Sequence, residues 1–104
     1  LIGPPAEDFF DLVEVKKLFL AAGAVSIEKN RISNPNLQEN PVKKSMIKTA
    51  EEVILVIDSH KLEASALYPF ASFKDVDKII IDNNISKKQR EKLENLSLEV
   101  LYTN

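Results

Sequence analysis

The chain has 104 residues, a formal net charge of −2 at pH 7, no cysteine, and 44% apolar residues. That length supports one core, burying roughly 60–70% of the surface the unfolded chain exposes, and leaves no room for a second domain. The lack of cysteine excludes a disulfide framework, a thiolate zinc site and a cysteine nucleophile, and the slightly acidic balance argues against direct grip of a nucleic-acid backbone.

The longest uninterrupted apolar run, residues 18–25, is far short of the ~20 residues that cross a bilayer, so no membrane partner is expected. Glu7, Asp8 and Asp11 stand where a signal peptide carries Lys or Arg, and there is no initiator Met. The sequence therefore reads as a piece of a longer cytoplasmic protein.

In chain order, residues 17–22 offer a weak apolar strand. The polar stretch 28–36, dense in turn formers (Asn30, Ser33, Asn34, Pro35, Asn36), follows as the longest loop. Ligands of open α/β sheets collect at the carboxyl ends of strands, so this loop is placed to line a site. Asn40-Pro41 opens a helix over 40–50, because a first-turn Pro lacks only an N–H that would be unpaired anyway. Its apolar face is Val42, Met46, Ile47 and Ala50, with Lys43, Lys44 and Lys48 assigned to the solvated side.

Val53-Ile54-Leu55-Val56-Ile57 is a continuous aliphatic run, predicting a strand over 53–57 buried on both faces. Residues 62–73, with Pro69 amid aromatics, suit a short edge or antiparallel strand. Ile79-Ile80-Ile81 gives a strand over 79–82. Ser86 with Gln89 has capping-box spacing for a helix over 86–95, and a last strand is expected over 98–102. Strand, helix and strand in alternation predict an α/β fold: a mainly parallel sheet covered by helices on both faces.

Asp58-Ser59-His60-Lys61 directly follows the most apolar strand and gathers a carboxylate, a hydroxyl, an imidazole and an ammonium. A phosphorylated, polyhydroxylated ligand needs such a mixture of cation and acceptors. The plainer reading is an Asp that caps a turn beside a solvated Lys. His60 is the single imidazole, with no second ligand type at metal-binding spacing, so no metal site is expected. Glu39, at the mouth of the first helix, is explained by the helix dipole before any general-base role. Two glycines, Gly3 and Gly23, cannot build a glycine-rich phosphate cradle, and no cofactor is expected.

Gly3-Pro4 with Ala6-Glu7, then Leu18-Phe19-Leu20-Ala21 leading to Val25-Ser26, then Asn34-Pro35-Asn36-Leu37 with Glu39, together make an ordered series. It continues through Val42-Lys43-Lys44-Ser45-Met46-Ile47, Asp58-Ser59-His60-Lys61 and Ile79-Ile80-Ile81-Asp82. Taken together the series resembles the C-terminal sensor domain of DeoR-family transcriptional regulators, along the whole chain. The resemblance implies a fold similar to ribose-5-phosphate isomerase with its N-terminal part missing, so that residues 1–104 are the later part of the effector-binding domain. It implies binding of a phosphorylated sugar or related metabolite, DNA contact only through a winged helix-turn-helix absent from this chain, and a homo-oligomeric repressor of sugar metabolism. Residue by residue, Lys61 would contact the effector, Glu39 would stand where the isomerases keep their catalytic carboxylate, and Asn34 and Asn36 would lie in a ligand-side loop over 33–36.

The chain departs from the family pattern at Gly23-Ala24, where an acidic or polar residue followed by Gly is usual, and at Gln38-Glu39-Asn40-Pro41. With no acid at Gly23, Glu39 lacks the support that an isomerase's proton transfer requires. No catalytic residue is therefore assigned, and a sugar-phosphate isomerase fragment is the alternative to a sensor.

Overall fold

The aliphatic runs form the strands of one parallel sheet. The computed structural model describes residues 15–104, so the Gly3-Pro4 and Ala6-Glu7 motif lies outside the described residues. Strands β1 (Val15–Leu20), β4 (Ala50–Ile57), β6 (Lys78–Asp82) and β7 (Glu99–Thr103) pair in the order β1-β4-β6-β7, all parallel. Helix α1 (Asn40–Thr49) precedes β4 and helix α2 (Lys87–Glu94) joins β6 to β7. The α/β class expected from the alternation is the one observed.

A second, antiparallel sheet, β2 (Ala24–Ser26), β3 (Arg31–Asn34) and β5 (Tyr68–Ala71) in that order, lies between these units. The expected loop over 28–36 thus contains a strand. The reason is Ile32, fully buried opposite Val25, which docks the hairpin on the core although its neighbours are polar. Asn30, with φ of 56°, makes the reversal, and its Oδ1 accepts from the Phe73 amide at 2.9 Å. Pro69 sits in β5 at the edge of this sheet, where its missing donor costs nothing.

Leu20, Leu55, Ile79 and Ile81 on the parallel sheet meet Val25 and Ile32 of the hairpin, Phe70, Phe73 and Leu93 in one core. Each such fully buried side chain contributes roughly 1.5–3 kcal/mol of burial free energy. Met46 and Ile47 of α1 pack against the same core. Of the expectation that β4 is buried on both faces, Val53, Leu55 and Ile57 on the core side and Ile54 on the other bear it out, while Val56 is exposed. Strand alternation turns Phe19, Val56 and Leu101 to the opposite face, where they are 63%, 41% and 43% exposed. That face also carries a row of charges: Lys17 lies 3.9 Å from Glu52, and Lys78 lies 4.0 Å from Glu52 and 3.5 Å from Glu99.

Candidate functional site at the carboxyl ends of the first two parallel strands

Chain leaving β1 runs through Ala21, Ala22 and Gly23 into the hairpin, and chain leaving β4 turns at once through a one-turn 3₁₀ helix, Ser59–Lys61. The two exits meet. Leu62 bridges Val25 in parallel, and the Glu63 amide donates to the Val25 carbonyl at 2.7 Å, so the segment after Lys61 extends the small sheet beside β2. Ala24 pairs with Ser33 on the other side of β2. Leu62 and Ile32 thus lie on the two sides of Val25, which brings the chain directly after Lys61 beside the hairpin.

The turn carrying Lys61 is held at its start by two carboxylates. Asp58 Oδ1 accepts from the His60 amide at 3.0 Å and lies 3.3 Å from His60 Nδ1, which is the turn-capping role foreseen as the plainer reading. Asp82 at the end of β6 accepts from the Ser59 amide through Oδ1 and from the Asn84 amide through Oδ2. The Ser59 amide is the main reason the Asp82 carboxyl lies below the ordinary carboxylate range. Lys61 itself is half-buried, while His60 is exposed.

The four residues singled out from sequence fall into different environments. Asn34 is buried: its Nδ2 donates to Asn40 Oδ1 at 3.2 Å, and its Oδ1 accepts from Lys43 Nζ at 3.2 Å. Asn40, also buried, donates onward to the Tyr68 carbonyl at 3.3 Å. The Asn34 amide is therefore engaged within the protein. Asn36 is exposed and its Oδ1 caps the one-turn helix Leu37–Glu39 by accepting from the Gln38 amide. Glu39 is exposed at the start of α1 and makes no side-chain capping bond.

Lys43, assigned from periodicity to the solvated side of α1, turns inward instead. Its Nζ donates to the Ala21 carbonyl at 3.1 Å as well as to Asn34, and lies 5.0 Å from the centre of the Phe70 ring. Burial pushes its ammonium below the ordinary lysine value, and Glu39 one turn earlier pulls it back up. A long aliphatic stem lets a lysine at the margin of an apolar face reach across it, which a helical-wheel reading does not register.

Between the hairpin and the turn over 63–66 lies a polar cavity of about 160 Å³ that the sequence reading missed. Ser26, Arg31, Ser33 and Ser65 line it, with Lys29 and Glu63 at its margin. The signal was the alternation of Ser26 and Ser33 with Val25 and Ile32, hidden because residues 28–36 were read as loop. A wider, more open groove of about 440 Å³ lies at the carboxyl ends of β4, β6 and β7, with Asp58, Asp82 and Thr103 on its rim. Among the described residues, no three His or carboxylate groups come together to hold a metal ion.

The family model of the DeoR C terminal sensor domain matches residues 1–83. The chain is 33% identical over 101 residues to the HTH-type transcriptional regulator GlpR of Haloferax volcanii, covering 97% of this chain and 39% of that protein. It is 32% identical over 81 residues to the transcriptional repressor AccR of Agrobacterium fabrum and 28% identical over 81 residues to the HTH-type transcriptional repressor GlcR of Bacillus subtilis. Each of those two matches covers 78% of this chain and 31% of the relative. The chain thus spans between 31% and 39% of the length of these regulators.

Proposed function

This chain belongs to the DeoR C-terminal sensor domain family, and from that premise we propose that it is the later part of the effector-binding domain of a DNA-binding repressor of sugar metabolism. The effector is a phosphorylated sugar or related metabolite, and DNA is read by a separate N-terminal winged helix-turn-helix. The observation that carries this reading is the meeting of the hairpin with the Lys61 turn at the carboxyl ends of β1 and β4, where open α/β sheets hold their ligands. Lys61 supplies a point charge for the phosphate. Glu39 and Asn36, both exposed, supply acceptors on the far side of the loop, while Asn34 acts on the site by holding Lys43 and Asn40 in place.

A sensor is favoured over an isomerase. The relatives are named as transcriptional regulators, and Glu39 has no acidic neighbour at Gly23 to share a proton-transfer task. The whole regulator works in the cytoplasm as a homo-oligomer, in keeping with the two edge strands, β1 and β7, that the described sheet leaves open. Among the described residues no helix is long and apolar enough to cross a membrane.

Calorimetric titration of the full-length protein with hexose and triose phosphates tests this reading. Lys61→Ala should weaken effector binding about ten- to a hundredfold, the loss of one charge-assisted hydrogen bond of roughly 1.5–3 kcal/mol. Equal affinity in parent and variant would remove Lys61 from the site, and turnover of the sugar phosphate would favour the isomerase.

A further inference from the structure

We propose that the open face of the parallel sheet is the docking surface of the segment directly upstream of β1, with residues 5–13 laid across it as an amphipathic helix anchored by Phe9 and Phe10. The proposal is independent of the effector reading and gives a partner to apolar surface that the described elements leave exposed.

Chain direction fixes which face lacks cover. Each step from β1 to β4, to β6 and to β7 moves one lane in the same direction, and parallel crossovers are right-handed, so every connecting segment falls on one side. Side chains of the hairpin, of the turn at Phe73 and of both helices accordingly meet Leu20, Leu55 and Ile79 in a single core. Strand alternation sends Phe19, Ile54, Val56, Ile80 and Leu101, which together come from all four strands, to the other side. Parallel strands are stable when both faces are covered. Among the described residues no connection reaches that side, whereas the chain entering β1 at its amino end belongs to none of these crossovers and can.

The upstream sequence has the matching pattern. Ala6, Phe9, Phe10 and Val13 recur at i, i+3, i+4 and i+7, while Glu7, Asp8, Asp11 and Glu14 fall on the opposite side of the same period. Pro4-Pro5 stands where a helix starts. Nine helical residues measure about 14 Å, the rise of about four strand residues, so the apolar stripe reaches from the row of Lys17 to the carboxyl ends. A helix running antiparallel to β1 begins in the groove of about 440 Å³ whose rim holds Asp58 and Asp82, and those carboxylates face the positive end of its dipole. At its other end the charges of Lys17, Glu52, Lys78 and Glu99 already satisfy one another, so the surface asks for an apolar partner rather than a charged one.

Size separates this occupant from a second copy of the chain. Four lanes span about 14 Å and the apolar rows run about 10 Å along them, a patch on the order of 200 Å². A stable dimer needs ~800 Å² from each partner. A helix about 10 Å wide and two to three turns long is what the patch accommodates.

The test uses the 104-residue chain and nuclear Overhauser contacts between aromatic rings and methyl groups. Contacts from Phe9 and Phe10 to the methyls of Ile54, Val56, Ile80 and Leu101 are expected, independent of concentration and confined to one chain when isotope-labelled and unlabelled copies are mixed. Phe9→Asp combined with Phe10→Asp should uncover the face and raise severalfold the fluorescence of a dye that binds exposed apolar surface. Asp8→Ala, on the solvated side of the segment, should leave that signal at the parent level. Contacts seen only between labelled and unlabelled copies would give the face to a second chain and overturn the proposal. Phe9 and Phe10 rings that touch none of these methyls would overturn it too, a result read in the parent chain even if the charged variant does not fold.

Discussion

Gly23 and Pro35 touch across the entrance to the hairpin: a Cβ built on Gly23 would lie 2.7 Å from Pro35 Cδ. The Gly23 amide also donates to the Ser33 carbonyl at 3.0 Å, so the two chain segments are locked at the distance that creates the contact. Because the obstructing atom belongs to a ring closed on the backbone, it cannot swing aside. Any side chain at position 23 therefore requires the Pro35 segment to shift.

Gly23→Ala should destabilise the fold by about 1–3 kcal/mol, the usual cost of forcing extra volume into a packed contact. Pro35→Ala in the same chain should return most of the loss. Urea midpoints of the three variants check this, and an unchanged midpoint in Gly23→Ala would show that the loop yields.

Asn34 and Asn36 should separate in a stability measurement. Asn34→Ala leaves Asn40 Oδ1 and Lys43 Nζ short of a partner in a buried network, at a cost of about 1–3 kcal/mol. Asn36→Ala removes only the cap of an exposed single turn, about 0.5–1 kcal/mol. Denaturant unfolding of the two variants, read side by side, decides between structural and surface roles.

Acid should loosen the turn that carries Lys61. The Asp82 carboxyl is depressed below its ordinary value, chiefly by the Ser59 amide, so its contribution is complete above the ordinary Asp range near ~4 and disappears as pH falls through the lowered value. Glu28, lowered by its bond to Lys92, acts in the same sense. Urea midpoints between pH 6 and pH 2 should fall less steeply in Asp82→Asn than in the parent; parallel curves would mean that Asp82 contributes nothing there.

Ser86 and Gln89 exchange two hydrogen bonds, Gln89 N to Ser86 Oγ at 3.1 Å and Ser86 N to Gln89 Oε1 at 3.0 Å. Ser86→Ala should cost about 1 kcal/mol in stability, with the hydrogen-exchange protection of α2 falling before that of β6. Unchanged protection in α2 would mean that Leu93 alone fixes the helix.

The parallel sheet was legible because its signals are strong and local. Aliphatic runs at 53–57 and 79–82, the Asn40-Pro41 start and the Ser86 capping box each carry their meaning within a few residues, and all four appear where expected within a small shift of ends. The hairpin was not legible. Ile32 is one apolar residue among polar ones, and only its pairing with Val25, set by the Asn30 reversal, makes it core. Lys43 was misassigned for a related reason: its partners, Ala21 and Asn34, belong to other segments and no periodicity encodes them. The serine and arginine cavity was lost with the hairpin, since its donors share a face only once the strands are paired.

Parallel strands have no tight turn to fix how far one slides along the next. Sliding β1 by two residues against β4 would keep every apolar side chain on its own side of the sheet, so burial alone scarcely forbids it. The charged row on the open face supplies the missing constraint. In the observed alignment Lys17 lies opposite Glu52, with Lys78 and Glu99 continuing the alternation. A two-residue slip would set Lys17 opposite Ile54 or Ala50 and break the alternation. Each exposed pair adds only ~0.2–1 kcal/mol to stability, so the Lys17–Glu52 pair biases the alignment of β1 on β4, and with it the position of the carboxyl ends that frame the site.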